Sequence, residues 1–491
     1  MQFRPDLDST SEVPLYRQLG AYVQRLIAAG DLQPGDRLPP TRELAGQLGL
    51  NRTTVSAAYE WLESEGLILG AVGRGSFVLG QSAESQGAPT PAQTIDWSRS
   101  LTPSMFASSG SSAAANVVDF SSSRPSEQLF PLDDFRESCA EVLAHPRLQS
   151  LLQLGSPLGY PALRSWLLDR ARQQGFAGPG DDILITNGCQ QAVDILRRAL
   201  TQHGSKVAIE EPVYPGLRNL FLDSGAELIG VPVTHDGMDL SALRRGLDAG
   251  ARVVVITPSF QNPTGATMPT AARAALISMT RNAGAVVIEN DIYSDLVYHG
   301  TKQPKLKSFD PNVILLGSFS KIAFPGVRVG WIIAPKAVIS RAAELKQLTD
   351  LHTDQLSQAF LLHFAETGRL AKHEAIVIAA GREKLRAVEQ ACAQSLDTCR
   401  FTVPDGGMNM WLDLPDGLDS GALRGLARQA GVDYLPGRYF SVSRSLDTGL
   451  RLSFAGLTPV EIRRGIGILG DVVRNATTSR DEASRPTLAF V

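Results

Sequence analysis

Apolar residues return at helical spacing three times near the start of the chain. Leu15, Leu19, Val23, Leu26 and Ile27 form one stripe, which Gly30 is placed to end. After a Pro34-Gly35 turn, Leu44, Ala45 and Leu48 form a shorter stripe, with Thr41 as its expected N-cap and Gly49 as its stop. Val55, Tyr59 and Leu62 form a third, opened by Asn51 as a second N-cap. Two short helices separated by a Gly-containing turn predict a helix-turn-helix. Strand-like segments Leu67–Leu69 and Ser76–Leu79 then flank Gly73-Arg74-Gly75, which predicts a hairpin tip serving as a wing.

Beyond residue 117 the pattern changes to short apolar runs alternating with helical stretches. Asp182–Thr186, Lys206–Glu210, Arg252–Thr257, Ala285–Glu289, Val313–Gly317 and Gly330–Ile333 read as buried strands, which predicts an α/β fold with a largely parallel sheet. Between the two patterns the chain turns rich in Ser, Ala, Gly, Pro and Gln, with Trp97 and Phe106 as possible local anchors. Such a stretch cannot bury enough surface to offset its ordering entropy and reads as a flexible linker. The expected division is a reader domain over 1–80, a linker over 81–116, a large domain over 117–475 and a polar tail over 476–491.

Composition narrows the class without naming it. The 491 residues are 43% hydrophobic and 20% charged, as expected of folded domains, and 47 basic against 50 acidic side chains leave a net charge of −3. No global basic excess points to nucleic acid. Cys139, Cys189, Cys392 and Cys399 are too scattered for a disulfide framework or a metal site, so no metal is expected. The first residues carry no basic and apolar regions of a secretory leader, and no apolar run is long enough for a bilayer. A cytoplasmic protein without membrane contact is the expectation.

Ligands of α/β sheets gather at loops beyond the strand ends, where the polar motifs fall. Asn187-Gly188-Cys189-Gln190-Gln191 follows the first of these strands and opens an apolar helix, a ready phosphate cradle. Asn262-Pro263-Thr264-Gly265, Asn290-Asp291-Ile292-Tyr293 and Ser318-Phe319-Ser320-Lys321 follow later strands, the last continuing to Arg328. A lysine at a strand end, flanked by hydroxyls and followed by arginine, suits a Schiff-base lysine beside a phosphate. Taken singly, each of these motifs reads equally as a turn or a surface charge.

The first 80 residues resemble the winged helix-turn-helix of the GntR family over essentially their whole length, from LYRQL through RELAGQLGLNRTTVSAAYEWLESEGLI to GRGSFV. The resemblance implies binding of a double-stranded DNA operator, with Arg52, Thr53 and Thr54 entering the major groove, Arg42 near the backbone and Arg74 at the wing. Hydroxyls and helix N-terminal amides suit phosphates, and arginine forks suit guanine edges. Charge does not support this by itself. Residues 1–80 hold seven Arg and no Lys against nine Asp and Glu, a net of −2. A protein-contact module with ordinary surface arginines is the bland alternative.

The order of the later motifs resembles the fold-type I aminotransferases across about residues 117–475, which implies pyridoxal 5'-phosphate as cofactor. On that resemblance Lys321 forms the internal aldimine, and Gly188, Cys189, Gln190, Ser318, Arg328 and, to a lesser degree, Ser320 hold the phosphate. Asn262 and Tyr293 hydrogen-bond the ring hydroxyl, and Tyr214 stacks on the ring. Arg451 receives a carboxylate of the effector, its alternative being a surface arginine at a strand edge.

A GntR-type reader fused through a linker to such a domain resembles the MocR family of transcriptional regulators. Three departures stand out. Asn290 occupies the position of the acid that keeps the pyridine nitrogen protonated, with Asp291 one residue later, and either can be the group that faces it. Leu154 stands where many relatives place a tyrosine reaching the phosphate across the dimer. Gly216 stands where the GABA-sensing member has an arginine, so GABA is not the expected ligand. The implied function is a sensor of an amino compound, or of the cofactor itself, acting through an aldimine at Lys321 in a domain-swapped homodimer. A genuine aminotransferase carrying a DNA-binding domain is the alternative, and a cofactor retained only as a structural staple is a third.

Overall fold

The computed structural model describes residues 3, 5, 7–8, 11, 13–71, 75–79, 116–146 and 148–483, the last five as backbone only. Arg74, Trp97, Phe106 and nearly all of the segment read as a linker lie outside them. The chain divides into two compact units, Met1–Met105 and Phe106–Val491.

In the smaller unit, α1 (Leu15–Ala29) ends on Gly30, whose φ of +79° is the left-handed geometry that glycine adopts without strain. The second helix, α2 (Thr41–Leu48), starts one residue earlier than the sequence suggests. Pro40, with φ set by its ring, takes the cap position, and Thr41 becomes the first helical residue rather than a cap. In α3 (Arg52–Ser64) the Asn51 side chain does cap the start, accepting the Thr53 N–H at 3.2 Å. Leu19, Val23, Leu44, Val55, Tyr59 and Leu62 are buried as one core, and the Tyr59 hydroxyl donates to the Pro39 carbonyl at 2.8 Å. Strands β1 (Ile68–Ala71) and β2 (Gly75–Val78) pair antiparallel and complete the wing outside its tip.

The larger unit begins with β3 (Val118–Asp119) and builds its main sheet from β4 (Asp181–Thr186), β5 (Lys206–Glu211), β6 (Glu227–Thr234), β7 (Gly237–Met238), β8 (Val253–Ile256), β9 (Val286–Asn290), β10 (Ile314–Ser318) and β11 (Gly330–Pro335). Their order is β4-β11-β10-β9-β8-β5-β6-β7. The strands from β10 to β6 pair parallel, whereas β11 runs antiparallel to both neighbours. Side-chain alternation sends Ile183, Ile185, Leu315 and Ile333 into one apolar layer, and Leu184, Leu316 and Ile332 into the layer on the opposite face. A smaller sheet contains β12 (Arg400–Phe401), β13 (Asn409–Asp413), β15 (Leu435–Pro436) and β16 (Gly449–Ser453), while β14 (Val432–Asp433) pairs with β3.

All six expected strands are present, with ends displaced by one or two residues. The sequence reading missed β6 and β7. Gly230 and Pro232 break the β pattern of β6, yet a side chain at Gly230 would run into the Glu211 carboxylate, so the close approach requires glycine. The expected tail is also corrected in part. Helix Pro459–Ala483 runs through Asn475, because Val472, Val473 and Ala476 pack against the core and the Thr477 and Thr478 hydroxyls bond back to the carbonyls of Val473 and Arg474. Among the described residues no helix is long and apolar enough to cross a membrane.

Two substitutions test this construction. Gly330 pairs with both Thr186 and Ser318, and a Cβ there would stand 2.9 Å from the Gly188 carbonyl carbon. Gly330→Ala should destabilise the larger unit by about 1–3 kcal/mol, seen as a lowered denaturant midpoint. Asn51→Ala should cost the smaller unit about 1 kcal/mol through the lost cap, read from its own unfolding transition. An unmoved midpoint in either variant contradicts the corresponding contact.

Candidate functional site

The carboxyl ends of β4, β5, β8, β9 and β10 open on a cavity of about 420 Å³. At one end of it begins the helix Gly188–Leu200. Asn187 makes no side-chain cap, so the first N–H groups of this helix are left without one. The turn is braced from behind. The Asn187 N–H donates to Gln191 Oε1 at 2.7 Å, Gln191 Nε2 donates to Asp350 at 2.6 Å, and Asp350 pairs with the fully buried Lys346 ammonium at 2.6 Å. Arg328, at a left-handed φ of +58°, donates to the Asn187 carbonyl at 3.3 Å and lies so close over Gly188 that a side chain there would strike its guanidinium. Ser318 Oγ accepts the Ser320 N–H at 3.0 Å and stands 3.0 Å from the Ser320 hydroxyl. Amides, two hydroxyls and a guanidinium thus converge, the combination that binds a phosphate-like anion.

Lys321 lies further along the cavity. Its Nζ donates to the Ser123 carbonyl at 3.0 Å and stands 5.7 Å from the centre of the Tyr293 ring. The Tyr293 hydroxyl accepts from Asn262 Nδ2 at 3.3 Å, and Asn262 Oδ1 accepts from Arg451 at 3.1 Å. Arg451 also donates to the Ser121 carbonyl and sits over the Phe440 ring. Only 3% of it is exposed, in a strand flanked by β13 and β15, which excludes the surface-arginine alternative. Its Nε has no partner, and burial pulls the guanidinium down to about 10. Tyr214 covers the cavity. Any side chain at Gly216 would collide with its ring, which accounts for glycine there.

Among the described residues lining the cavity are three cations, Lys321, Arg328 and Arg451, and no carboxylate. Arg451 is buried and Lys321 half-buried without a counter-charge, which is costly unless an anion is bound. The nearest acids are directed elsewhere. Asn290 faces the cavity with its Oδ1 unpartnered, while its Nδ2 donates to Thr257 at 3.1 Å. Asp291, whose N–H continues the strand pairing to Leu316, falls on the opposite side and pairs with Lys305 and Ser294. Strand parity therefore places Asn290, and not Asp291, on the cavity wall. Glu210 is buried behind Thr257, and burial pushes its carboxyl up to about 8.

Of the sequence-derived cofactor residues, Cys189, Gln190, Tyr214, Asn262, Asn290, Tyr293, Ser318, Ser320, Lys321, Arg328 and Arg451 line this one cavity, with Gly188 directly beneath Arg328. Asp291 does not, and Leu154 is 71% exposed outside it. Cys189 donates to the Gly317 carbonyl at 3.2 Å, and burial pushes its thiol up to about 12, so it stays a neutral wall residue. The sequence reading missed Ser121, Ser123 and Thr257. The polar run after the apolar Val117–Phe120 was the available signal for the first two. In the smaller unit, Arg52 and Thr53 are exposed and Thr54 half-buried on the first turn of α3, and Arg42 is exposed at the start of α2. Among the described residues neither arginine is held in an ion pair.

Comparison with known proteins agrees with both units. Residues 115–469 match the family model for aminotransferase class I and II, and residues 15–78 match that for bacterial regulatory proteins of the gntR family. The uncharacterized HTH-type transcriptional regulator YdfD of Bacillus subtilis is 27% identical over 96% of this chain and 98% of its own length. The probable rhizopine catabolism regulatory protein MocR of Rhizobium meliloti is 29% identical over 94% of both chains. Among solved structures, the α-aminoadipate aminotransferase LysN of Thermus thermophilus, complexed with N-(5'-phosphopyridoxyl)-L-leucine, is 32% identical with a TM-score of 0.70, over 74% of this chain and 94% of that one. With its cavity at the strand ends and its reader ahead of it, the chain belongs to the aminotransferase class I and II family, joined to a gntR-family helix-turn-helix in the arrangement of the MocR-type transcriptional regulators.

Proposed function

We propose that this protein is a pyridoxal 5'-phosphate-dependent transcriptional regulator, which takes an amino compound into the cavity around Lys321 and changes its binding to a DNA operator. The observation that carries this reading is the cavity with three cations and no carboxylate, in a chain that also bears a helix-turn-helix. The residues present fit the cofactor. The uncapped start of the Gly188–Leu200 helix, with Ser318, Ser320 and Arg328, would hold its phosphate. Asn262 and Tyr293 would hold the ring hydroxyl, Tyr214 would cover the ring, and the unpartnered Asn290 Oδ1 would face the ring nitrogen. When bound, the cofactor supplies an aldehyde that condenses with amines and a ring that withdraws electrons.

The chain's own residues then divide the work. Lys321, whose one hydrogen bond among the described residues goes to the Ser123 carbonyl, can exchange that contact for another without breaking an ion pair. Arg451, with Nε free and Nη1 on Asn262, has donors left for a carboxylate of the effector. Asn290 brings a neutral amide where the family pattern has an acid, so it stabilises a charged ring less than a carboxylate would. That weakens turnover more than binding and favours a sensor over an enzyme. Regulation requires the effector to bind two arrangements of the protein with different affinity. Exposed Leu152, Leu154 and Leu348 give the larger unit apolar surface for a second copy, and a homodimer brings two readers to two half-sites.

The retained set of Lys321, Tyr293, Asn262 and Arg451 also supports a second reading, a working aminotransferase that carries a reader. Release of keto acid from a panel of amino acids at many turnovers per site would establish it, and amine-dependent operator binding without such release would exclude it.

Two measurements test the regulator. Full-length protein with added pyridoxal phosphate should show a protein-bound cofactor absorbance band that shifts with an effector amine, and Lys321→Ala should abolish both. A wild-type protein that takes up no cofactor contradicts the reading. Arg52→Ala should weaken operator binding by about 1–3 kcal/mol, the worth of one base contact, with the cofactor band unchanged. Equal affinity in a titration by fluorescence anisotropy would remove α3 as the recognition helix.

A further inference from the structure

The start of the Gly188–Leu200 helix is held by a chain of side chains that stand behind the cavity rather than in its wall. Lys346 lies in the helix Lys336–Asp350 with its side chain fully buried, and its Nζ donates to Asp350 Oδ1 at 2.6 Å. Asp350 Oδ2 accepts from Gln191 Nε2 at 2.6 Å, and Gln191 Oε1 accepts the Asn187 N–H at 2.7 Å. On the other side of the same residue, the Asn187 carbonyl accepts from Arg328 Nη2 at 3.3 Å, while Arg328 Nη1 donates to the Pro325 carbonyl at 3.2 Å. One backbone residue thus joins a buried ion pair to a guanidinium on the cavity wall.

Each link settles a different choice. The first four N–H groups of a helix have no acceptor within it, and here they are those of Asn187, Gly188, Cys189 and Gln190. Gln191 takes the first of them, which leaves three amides for an anion. An amide side chain can face two ways, but Asp350, paired with an ammonium, offers acceptors, so Gln191 presents its NH2 group there and its oxygen to Asn187. Being neutral, Gln191 brings no negative charge to the turn. Asp350 ends its helix, and Leu351 follows at a φ of +62°, a geometry that a residue other than glycine keeps only where its surroundings impose it. Two turns along from Gln191, Arg198 Nη1 donates to Thr349 Oγ1 at 2.9 Å and ties the same two helices again.

We propose that Gln191, Asp350 and Lys346 are positioning residues that hold Asn187 so that three free amides and the Arg328 guanidinium meet on one phosphate, which gives the cavity its preference for a phosphorylated ligand. This rests on the reading that pyridoxal phosphate occupies the cavity. When the Gln191 link is cut, the Asn187 N–H turns toward the anion or another acceptor, and the carbonyl that steadies Arg328 moves with it. Lys321, Asn262 and Tyr293 are held by other contacts, to Ser123, to Arg451 and to one another, and keep their places. The loss therefore falls on the phosphate and spares the aldehyde and the ring.

The test compares pyridoxal phosphate with pyridoxal, which has the same aldehyde and ring but no phosphate, in absorbance titrations of the full-length protein. Gln191→Met keeps the length of the side chain and loses both hydrogen bonds. It should weaken pyridoxal phosphate by about tenfold, the worth of a buried link left unmade, and leave pyridoxal unchanged. Gln191→Glu should do the same, because its carboxylate meets that of Asp350. Adding Asp350→Asn to Gln191→Glu should recover part of the loss, since the chain re-forms with donor and acceptor exchanged, which a mere loss of packing would not allow. Should Gln191→Met fail to fold, the Gln191→Glu single and double variants decide. Equal losses for the two ligands in Gln191→Met, or an unmoved affinity for pyridoxal phosphate, overturn the inference, as does a double variant that binds no better than Gln191→Glu alone. A wild-type chain that takes up neither ligand overturns the underlying reading instead, and shows it before any variant is made.

Discussion

The larger unit depends on a backbone contact that only glycine permits. β11 enters the sheet antiparallel between β4 and β10, with Gly330 against the start of the Gly188–Leu200 helix and no space for a Cβ on it. That contact sets Ser318 and Thr186 on either side of Gly330 and leads the chain, through a left-handed Arg328, back over Gly188. The hydroxyls, the guanidinium and the uncapped amides meet because two backbones touch. A methyl group at this point would push apart the strand and the helix start that carry these groups.

The cations of the cavity follow a second rule. Lys321 and Arg451 are steadied by the carbonyls of Ser123 and Ser121 rather than by acids. Dipoles fix the positions of the charges without cancelling them, so an arriving anion displaces nothing that is strongly bound. The acids of the region are spent on structure. Asp291 holds Lys305, Glu211 accepts the N–H groups of residues 442–444, and Glu289 accepts those of Leu306 and Lys307.

Much of this was legible in the sequence, for physical reasons. Apolar runs of strand length mark buried parallel strands, and the polar residues just after them mark the binding edge, so Asn187, Asn262 and Lys321 could be placed from order alone. Asn51 could be read as a cap because its side chain does that work. What could not be read depends on relations without a local signature. The parity that turns Asn290 inward and Asp291 outward is decided by pairing with β10. The carbonyls of Ser121 and Ser123 belong to the backbone, which any residue type supplies. Glu210 and Thr257 lie far apart in sequence and meet only because β5 and β8 are neighbours. β6 was hidden by a glycine and a proline, tolerated where the Glu211 side chain needs the space, and the continuation of the terminal helix past Asn475 was hidden by its polar sequence.

The modest charge of the reader unit has a kinetic side. The first turn of α3 carries Arg52, with Glu60, Glu63 and Glu65 two or more turns further along, and residues 1–80 are acidic on balance. Long-range attraction to the phosphate backbone is what speeds the search for a site and what traps a basic protein on random sequence. A reader with little such field encounters DNA slowly but is not titrated by the bulk of the chromosome. A small number of copies therefore remains free to respond, and occupancy of the operator is governed by how long the bound complex lasts.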